Sequence, residues 1–251
     1  MSDMLNFLIA PDFPPENFVG WHIFNTVLQR KIDTEVHLIT PADHDEQMEF
    51  ISQGQVGLIY ANPFDATELV RHLGFLPVAK PIEQFDEMVI ATHFGTPYQH
   101  SDDLRKGCRI LITNNRDVKL IGLRLLESAG LEESDIEWKP VASFQAAAHG
   151  LIKGEADAAF FLASAYHEFN NSTKKKLRPL MESRLNELSH VILLRPDFLH
   201  LLTAIKRAFI GMRHDAETKF ILEDLGIVHG FEDLTVEETE FMIDLMETLK
   251  D

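Results

Sequence analysis

The chain has 251 residues, 45% hydrophobic and 25% charged, with a formal net charge of −17. That balance is the one expected of a water-soluble globular protein, built as one large domain or two small ones. Its acidity excludes nucleic acid and anionic membrane as partners, because their phosphates are repelled.

The single cysteine, Cys108, excludes an internal disulfide and a cysteine metal cluster, and reads as a buried thiol in a strand. Residues 1–13, MSDMLNFLIAPDF, have no basic leader, and their apolar run is short (Phe7 to Ala10). They read as a strand, not as a secretion signal. No stretch approaches the ~20 apolar residues of a membrane span. The expected location is therefore the cytoplasm, or the periplasm if a signal peptide has been removed.

In chain order, Leu5 to Ala10 is a first strand. Pro11-Asp12-Phe13-Pro14-Pro15 is a rigid loop at its carboxyl end, since proline fixes φ and removes donors. Asn17 is placed to cap a helix carrying Val19, Ile23, Val27 and Leu28 at helical spacing. A strand follows over Thr34 to Ile39. Asp43 caps a helix that Gly54 ends. Val56 to Tyr60 is a buried strand, Ala61-Asn62-Pro63 a polar turn, and Asp65 the expected cap of the next helix. Leu76 to Ala79 is extended, and Glu87 to Thr92 is an apolar crossing strand.

The pattern then restarts. Arg109 to Thr113 is a strand, Asn114 to Asp117 a polar turn, and a helix follows with Leu120, Leu123 and Leu126 on one side. Ile136 to Pro140 is extended, Ser143 caps a helix that Gly154 closes, and Ala156 to Phe161 is a strand. Lys174 to Lys176 reads as a solvated loop. Leu188 to Leu194 is a second crossing strand, Pro196 opens a helix, and helices over about Ala216 to Leu225 and Val236 to Leu249 finish the chain.

Two segments, GQVGLIYANPFD from Gly54 and GEADAAFF from Gly154, repeat one design of helix, glycine, buried strand and helix. Alternating strands and helices, given twice, predict an α/β fold of two lobes. Each lobe is a mainly parallel sheet flanked by helices, and two hinge strands join them. Lobe 1 is residues 1–91 and 188–251; lobe 2 is residues 92–187. In such units ligands meet the carboxyl ends of the strands.

Known catalytic signatures are missing from the sequence: there is no GxSxG, no Walker loop and no dinucleotide glycine turn. The twelve histidines show neither HExxH nor an i,i+4 pair. Neither a metal site nor a cofactor is expected.

The order of the elements resembles a known family. GQVGLIYANPFD, SDDLRKGCRILIT, GLIKGEADAAF and the tail ILEDLGIVHGFEDLTVEE look like the phosphonate/phosphate-type (PhnD-like) substrate-binding proteins of ABC importers, with the type II periplasmic-binding-protein fold. The resemblance implies two lobes that close over a small ligand. It implies contacts from the turn after the first strand (Asp12, Phe13), the turn after the glycine-strand unit (Tyr60, Asn62), and the start of a second-lobe helix (Asn114, Asn115, Arg116, Asp117, on to Lys119). A helix start offers amides and a partial positive charge to an anion. Where the family carries hydroxyls at this turn, the chain has Asn114-Asn115-Arg116-Asp117. Asp117 repels a dianion unless Arg116 or Lys119 offsets it. Position 57 is glycine where the family has aspartate, and Asp157 keeps the aspartate in the second copy. His93, just past the first crossing strand, is a further cleft candidate; Tyr166 and His190 are weaker ones.

The expected function is to bind a small polar or anionic ligand, phosphonate- or phosphate-like or a carboxylate, in the inter-lobe cleft. The chain would be a solute-binding or sensor protein, with an ABC permease or a signalling protein as its partner. The alternative is a cytoplasmic enzyme on the same fold, as in thiamine-precursor or menaquinone synthesis. Asp12, Tyr60, His93 and Asp117 would then be its acid/base candidates.

Overall fold

The computed structural model describes residues 4–13 and 17–250. Pro14 and Pro15 of the expected rigid loop lie outside the described residues. The chain divides into two compact units, residues 1–84 with 189–247, and residues 85–188 with 248–251.

The first unit is built on a six-stranded sheet. Its parallel part is β1 (Leu5–Ile9), β2 (Val36–Ile39) and β3 (Leu58–Ala61), with β1 between the other two. The strand that arrives from the second crossing, β10 (Val191–Leu194), lies antiparallel to β3, with Val191 opposite Ala61. β4 (Leu76–Pro81) and β11 (Phe231–Asp233) complete the sheet. α1 (Phe18–Ile32), α8 (Leu202–Met212) and α9 (Ala216–Asp224) belong to the same unit. Phe7, Trp21, Phe24, Phe209 and Phe231 meet mostly edge to face, with ring centroids 5.0–6.4 Å apart. Each such pair adds about 0.5–1.5 kcal/mol beyond the area it buries.

The second unit repeats the arrangement in five strands. β6 (Cys108–Ile112) lies between β7 (Ile136–Pro140) and β8 (Ala158–Leu162), all parallel. The strand from the first crossing, β5 (Met88–His93), lies antiparallel to β8, and β9 (Leu177–Glu182) pairs with β5. α4 (Arg116–Glu127) and α5 (Phe144–Ile152) flank this sheet, with α6 (Ala163–Glu168) after β8. Both sheets are therefore mixed: a crossing segment supplies an antiparallel strand to each, β10 to the first and β5 to the second, and β11 adds another to the first. The boundary expected at residue 91 falls inside β5, which belongs wholly to the second sheet.

The repeat is visible bond by bond. Asp43 caps α2 (His44–Ser52) through the amide of Glu46, and Ser143 caps α5 through that of Ala146. Gly54 and Gly154 end these helices at φ +67° and +76°, the left-handed region that suits glycine. Gly57 N donates to Asn6 O at 3.0 Å, and Asp157 N to Arg109 O at 2.9 Å.

Several local expectations are revised. Asn62, not Asp65, caps α3 (Pro63–Arg71), because Pro63 already occupies the first helical position and Asp65 is the residue whose amide is capped. Asn17 makes no side-chain cap to α1. The segment opened by Pro196 is a 3-10 helix to Leu201 before α8 begins. β9, β11 and the short α7 (Asn171–Lys174) were not foreseen.

Candidate functional site

The polar residues proposed for ligand contact fall mostly on one edge of each sheet, the edge where the parallel strands end. In the first unit β1 and β3 finish there and β10 begins there, since it runs the other way. Ala10 N donates to Tyr60 O at 3.0 Å and carries the chain past the sheet into the turn with Asp12 and Phe13.

Asp12 is the centre of this edge. Its Oδ2 accepts from Asn62 Nδ2 at 2.8 Å and stands 3.5 Å from His190 Nε2. The Asp12 and His190 side chains are 12% and 9% exposed. Burial works to raise the Asp12 carboxyl, but the His190 contact and charge and the Asn62 hydrogen bond outweigh it and hold the acid below its ordinary value. Asn62 Oδ1 in turn accepts the amide of Asp65 at 2.8 Å. The buried Asp65 carboxylate takes Gln47 Nε2 at 2.7 Å, with His44 Nδ1 at 3.6 Å. Two carboxylates and two imidazoles thus stand in one chain of contacts.

Aromatic rings surround the pair. Phe13 stacks on Tyr60 with centroids 5.4 Å apart and planes at 12°, and both rings lie about as close to His190, at 5.1 and 5.2 Å. Tyr60 itself is 1% exposed and belongs to the core with Trp21 and Phe231. Phe13 is the half-buried ring of the group.

In the second unit the corresponding edge holds the start of α4. Asn115 is the N-cap, its side chain accepting the Val118 amide at 2.9 Å. Asn114 is exposed, Arg116 half-buried and Asp117 buried. Lys119 pairs with Glu133 at 2.5 Å and lies 5.2 Å over the Trp138 ring, so its charge is already engaged. Gly122 lets α4 sit tight on β8: a Cβ there would lie 2.2 Å from the Phe160 ring.

Other candidates fall elsewhere. His93 ends β5, whose first residue, Met88, stands opposite Leu162. An antiparallel strand that starts at the carboxyl edge ends at the other one, so His93 lies away from Asn115, and its Nδ1 accepts the Gly95 amide at 3.3 Å. Tyr166 is buried between Phe161 and Phe169. Asp157 receives the Arg109 amide at 2.8 Å and pairs with its guanidinium at 3.1 Å, joining the starts of β6 and β8. The equivalent Gly57 is crowded, since a Cβ would lie 2.7 Å from both Leu5 and Phe198. Among the described residues no three His, Cys, Asp or Glu side chains are grouped to hold a metal ion. No helix among them is long and apolar enough to cross a membrane.

The profile of one protein family, the periplasmic substrate-binding proteins of phosphonate ABC transporters, matches residues 7–239. The chain belongs to this family. It is thus a solute-binding protein of ABC-transporter type. A search of curated proteins finds no match. Among solved structures the fold is similar to a Xanthomonas citri protein bound to chloride, with TM-score 0.82 and 12% identity over 100% of this chain and 99% of that one. It is similar to PhnD1 of Prochlorococcus marinus in complex with methylphosphonate, with TM-score 0.79 and 13% identity over 99% and 98% of the two chains. The alkanesulfonate-binding protein SsuA of Xanthomonas axonopodis pv. citri, bound to MOPS, aligns with TM-score 0.65 and 15% identity over 99% and 93%. At these identities the likeness establishes the type II periplasmic-binding-protein fold. No comparison favours the enzyme alternative.

Proposed function

We propose that the chain captures a small organic oxyanion, a phosphonate or its sulfonate or carboxylate analogue, and delivers it to the permease of an ABC importer on the outer side of the membrane. The observation that carries this reading is the family match across residues 7–239. The relatives bound to methylphosphonate and MOPS support the ligand class.

The ligand contacts we assign are Asp12, Phe13 and Asn62 in the first unit, and Asn114, Asn115 and Arg116 at the start of α4. An oxyanion suits a helix start, where the peptide dipole and the Arg116 guanidinium act in the same direction. Tyr60 acts as the wall behind Phe13. Asp117 and Lys119 keep structural roles.

Native mass spectrometry of the protein purified from its own host tests the reading. A bound phosphonate, sulfonate or carboxylate is the expected result. A molecule that is consumed on incubation overturns it. Arg116→Ala is expected to weaken binding of that molecule about tenfold, and equal stabilisation of wild type and variant by it would remove Arg116 from the site.

A further inference from the structure

We propose that the second unit carries a docking surface for a short acidic segment of a partner protein, built from Lys174, Lys175, Lys176 and Arg178 around the exposed ring of Phe94. None of these residues is among the assigned ligand contacts.

Strand pairing brings the two segments together. β9 runs antiparallel to β5, with Arg178 opposite Thr92 and Leu177 opposite His93, and Phe94 N donates to Lys176 O at 2.7 Å just beyond. The lysine run therefore enters β9 where Phe94 leaves β5, at one end of the outer strand pair of this sheet. Arg178 fixes the ring. Its guanidinium carbon lies 4.6 Å from the Phe94 centroid, and its N–H groups donate to Phe94 O at 3.1 Å and Tyr98 O at 2.8 Å. Phe94 is nonetheless 58% exposed, and Lys175 and Lys176 are exposed beside it.

The charge of this corner is not neutralised from within. Every other lysine from Lys31 to Lys219 stands beside a carboxylate. Lys174 instead donates to His167 O, and Arg178 to carbonyls, all neutral acceptors. Lys175 and Lys176 meet no carboxylate among the described residues. Residues 93–100 and 169–180 contain no aspartate or glutamate. Beyond their ends, Glu182 is held by His167, and Asp103 by the amides of Gln99 and His100. Glu168 and Asp102 pair with none of the four cations. A chain of net charge −17 thus keeps one local positive field.

Screening selects the kind of partner. Charges farther apart than about 8 Å are largely screened at physiological ionic strength. A segment of a few residues at this corner therefore feels the four cations and little of the acidic remainder. A bilayer or a nucleic acid extends well past that length and meets the repelling surface as well. The Phe94 ring beside Arg178 adds an apolar anchor, since aromatic residues and arginine are enriched at interfaces. The segment that fits best carries an apolar side chain among its carboxylates.

Fluorescence anisotropy with a labelled oligoglutamate peptide, and with the same peptide carrying leucine at its centre, tests the inference at low salt and at about 0.15 M salt. Wild type is expected to bind both, the leucine form more tightly, and both more weakly at the higher salt. Lys175→Gln with Lys176→Gln should weaken both about tenfold. Phe94→Ala should remove the preference for leucine. Lys139→Gln with Lys153→Gln takes the same charge from ion pairs elsewhere in this unit, and should change binding less than about twofold. Unchanged thermal melting of the variants confirms that they are folded. Absence of binding at low salt overturns the inference, as does equal loss in the two double variants or a leucine preference kept by Phe94→Ala. Equal or tighter binding of phosphatidylglycerol vesicles or single-stranded DNA overturns it too. All of these outcomes leave the transport reading standing.

Discussion

Asn62 uses both ends of one amide: its Nδ2 donates to the Asp12 carboxylate at 2.8 Å while its Oδ1 accepts the Asp65 amide at the start of α3. One side chain therefore couples the turn after β1 to the helix after β3. An N-cap contributes about 1 kcal/mol, and a hydrogen bond to a buried charge about 1.5–3 kcal/mol. Asn62→Ala is expected to lower unfolding free energy by about 2–4 kcal/mol, measured by urea titration. Asn62→Asp separates the two roles. It keeps the cap but sets a second carboxylate against Asp12, so its loss should be largest at neutral pH and shrink as the medium becomes acidic.

Gly122 tests how the second unit holds the start of α4. A Cβ would stand 2.2 Å from Phe160, a ring buried in the core. Gly122→Ala should force α4 away from β8, at a cost of about 1–3 kcal/mol. Because Asn115 and Arg116 ride on this helix, ligand affinity should fall as well. A variant as stable as wild type would show that α4 has room to spare.

Gly57 and Asp157 occupy matching places and have become different in kind. Asp157 holds Arg109, while the space at Gly57 is filled by Leu5 and Phe198. Restoring the aspartate in the first copy, Gly57→Asp, should therefore destabilise by about 2 kcal/mol or more. Thermal melting checks this; an unchanged Tm would contradict the packing described.

Much of this architecture could be read from the sequence, and the reasons are local. Gly54 and Gly154 were legible because a left-handed helix end favours glycine, and Asp43 and Ser143 because capping follows from residue type and position. The membership of β5 in the second sheet was not legible, since Met88 to Ala91 is equally apolar whichever sheet receives it. Nor was the Asp12–His190 contact: the two residues lie far apart in the chain and meet only through the antiparallel insertion of β10 beside β3. The place of Tyr60 near the end of β3 was legible, but its burial among Trp21, Phe13 and Phe231 depends on rings supplied by other elements. His93 ends β5 at the edge away from Asn115, a placement set by strand direction, which sequence alone does not give.

α10 (Val236–Lys250) offers a test in acid. Thr235 and Glu238 form a reciprocal cap: Glu238 N donates to Thr235 Oγ1 at 3.1 Å and Thr235 N to Glu238 Oε2 at 2.9 Å. The Thr235 amide bond leads in holding the Glu238 carboxyl down to about 2, against an ordinary 4.5, with Lys80 adding to it. A depressed folded-state value means the native state binds the proton more weakly. Its stabilisation is present in full above the ordinary value and is lost as pH falls through about 2. Glu238→Gln keeps the hydrogen-bonding shape and removes the charge. It should be less stable than wild type at neutral pH by under about 1 kcal/mol, and the difference should close in acid. A gap independent of pH would contradict this assignment.

Under the proposed function, the chain binds a small oxyanion and returns it unchanged. Titration of the purified protein with methylphosphonate and methanesulfonate at about pH 5.5, followed by mass analysis of the recovered ligand, addresses it directly. Saturable binding of one ligand per chain is expected, with Kd of about 1 µM or tighter for at least one probe and recovery of that probe intact. Absence of saturable heat with both, or chemical conversion of either, would contradict it.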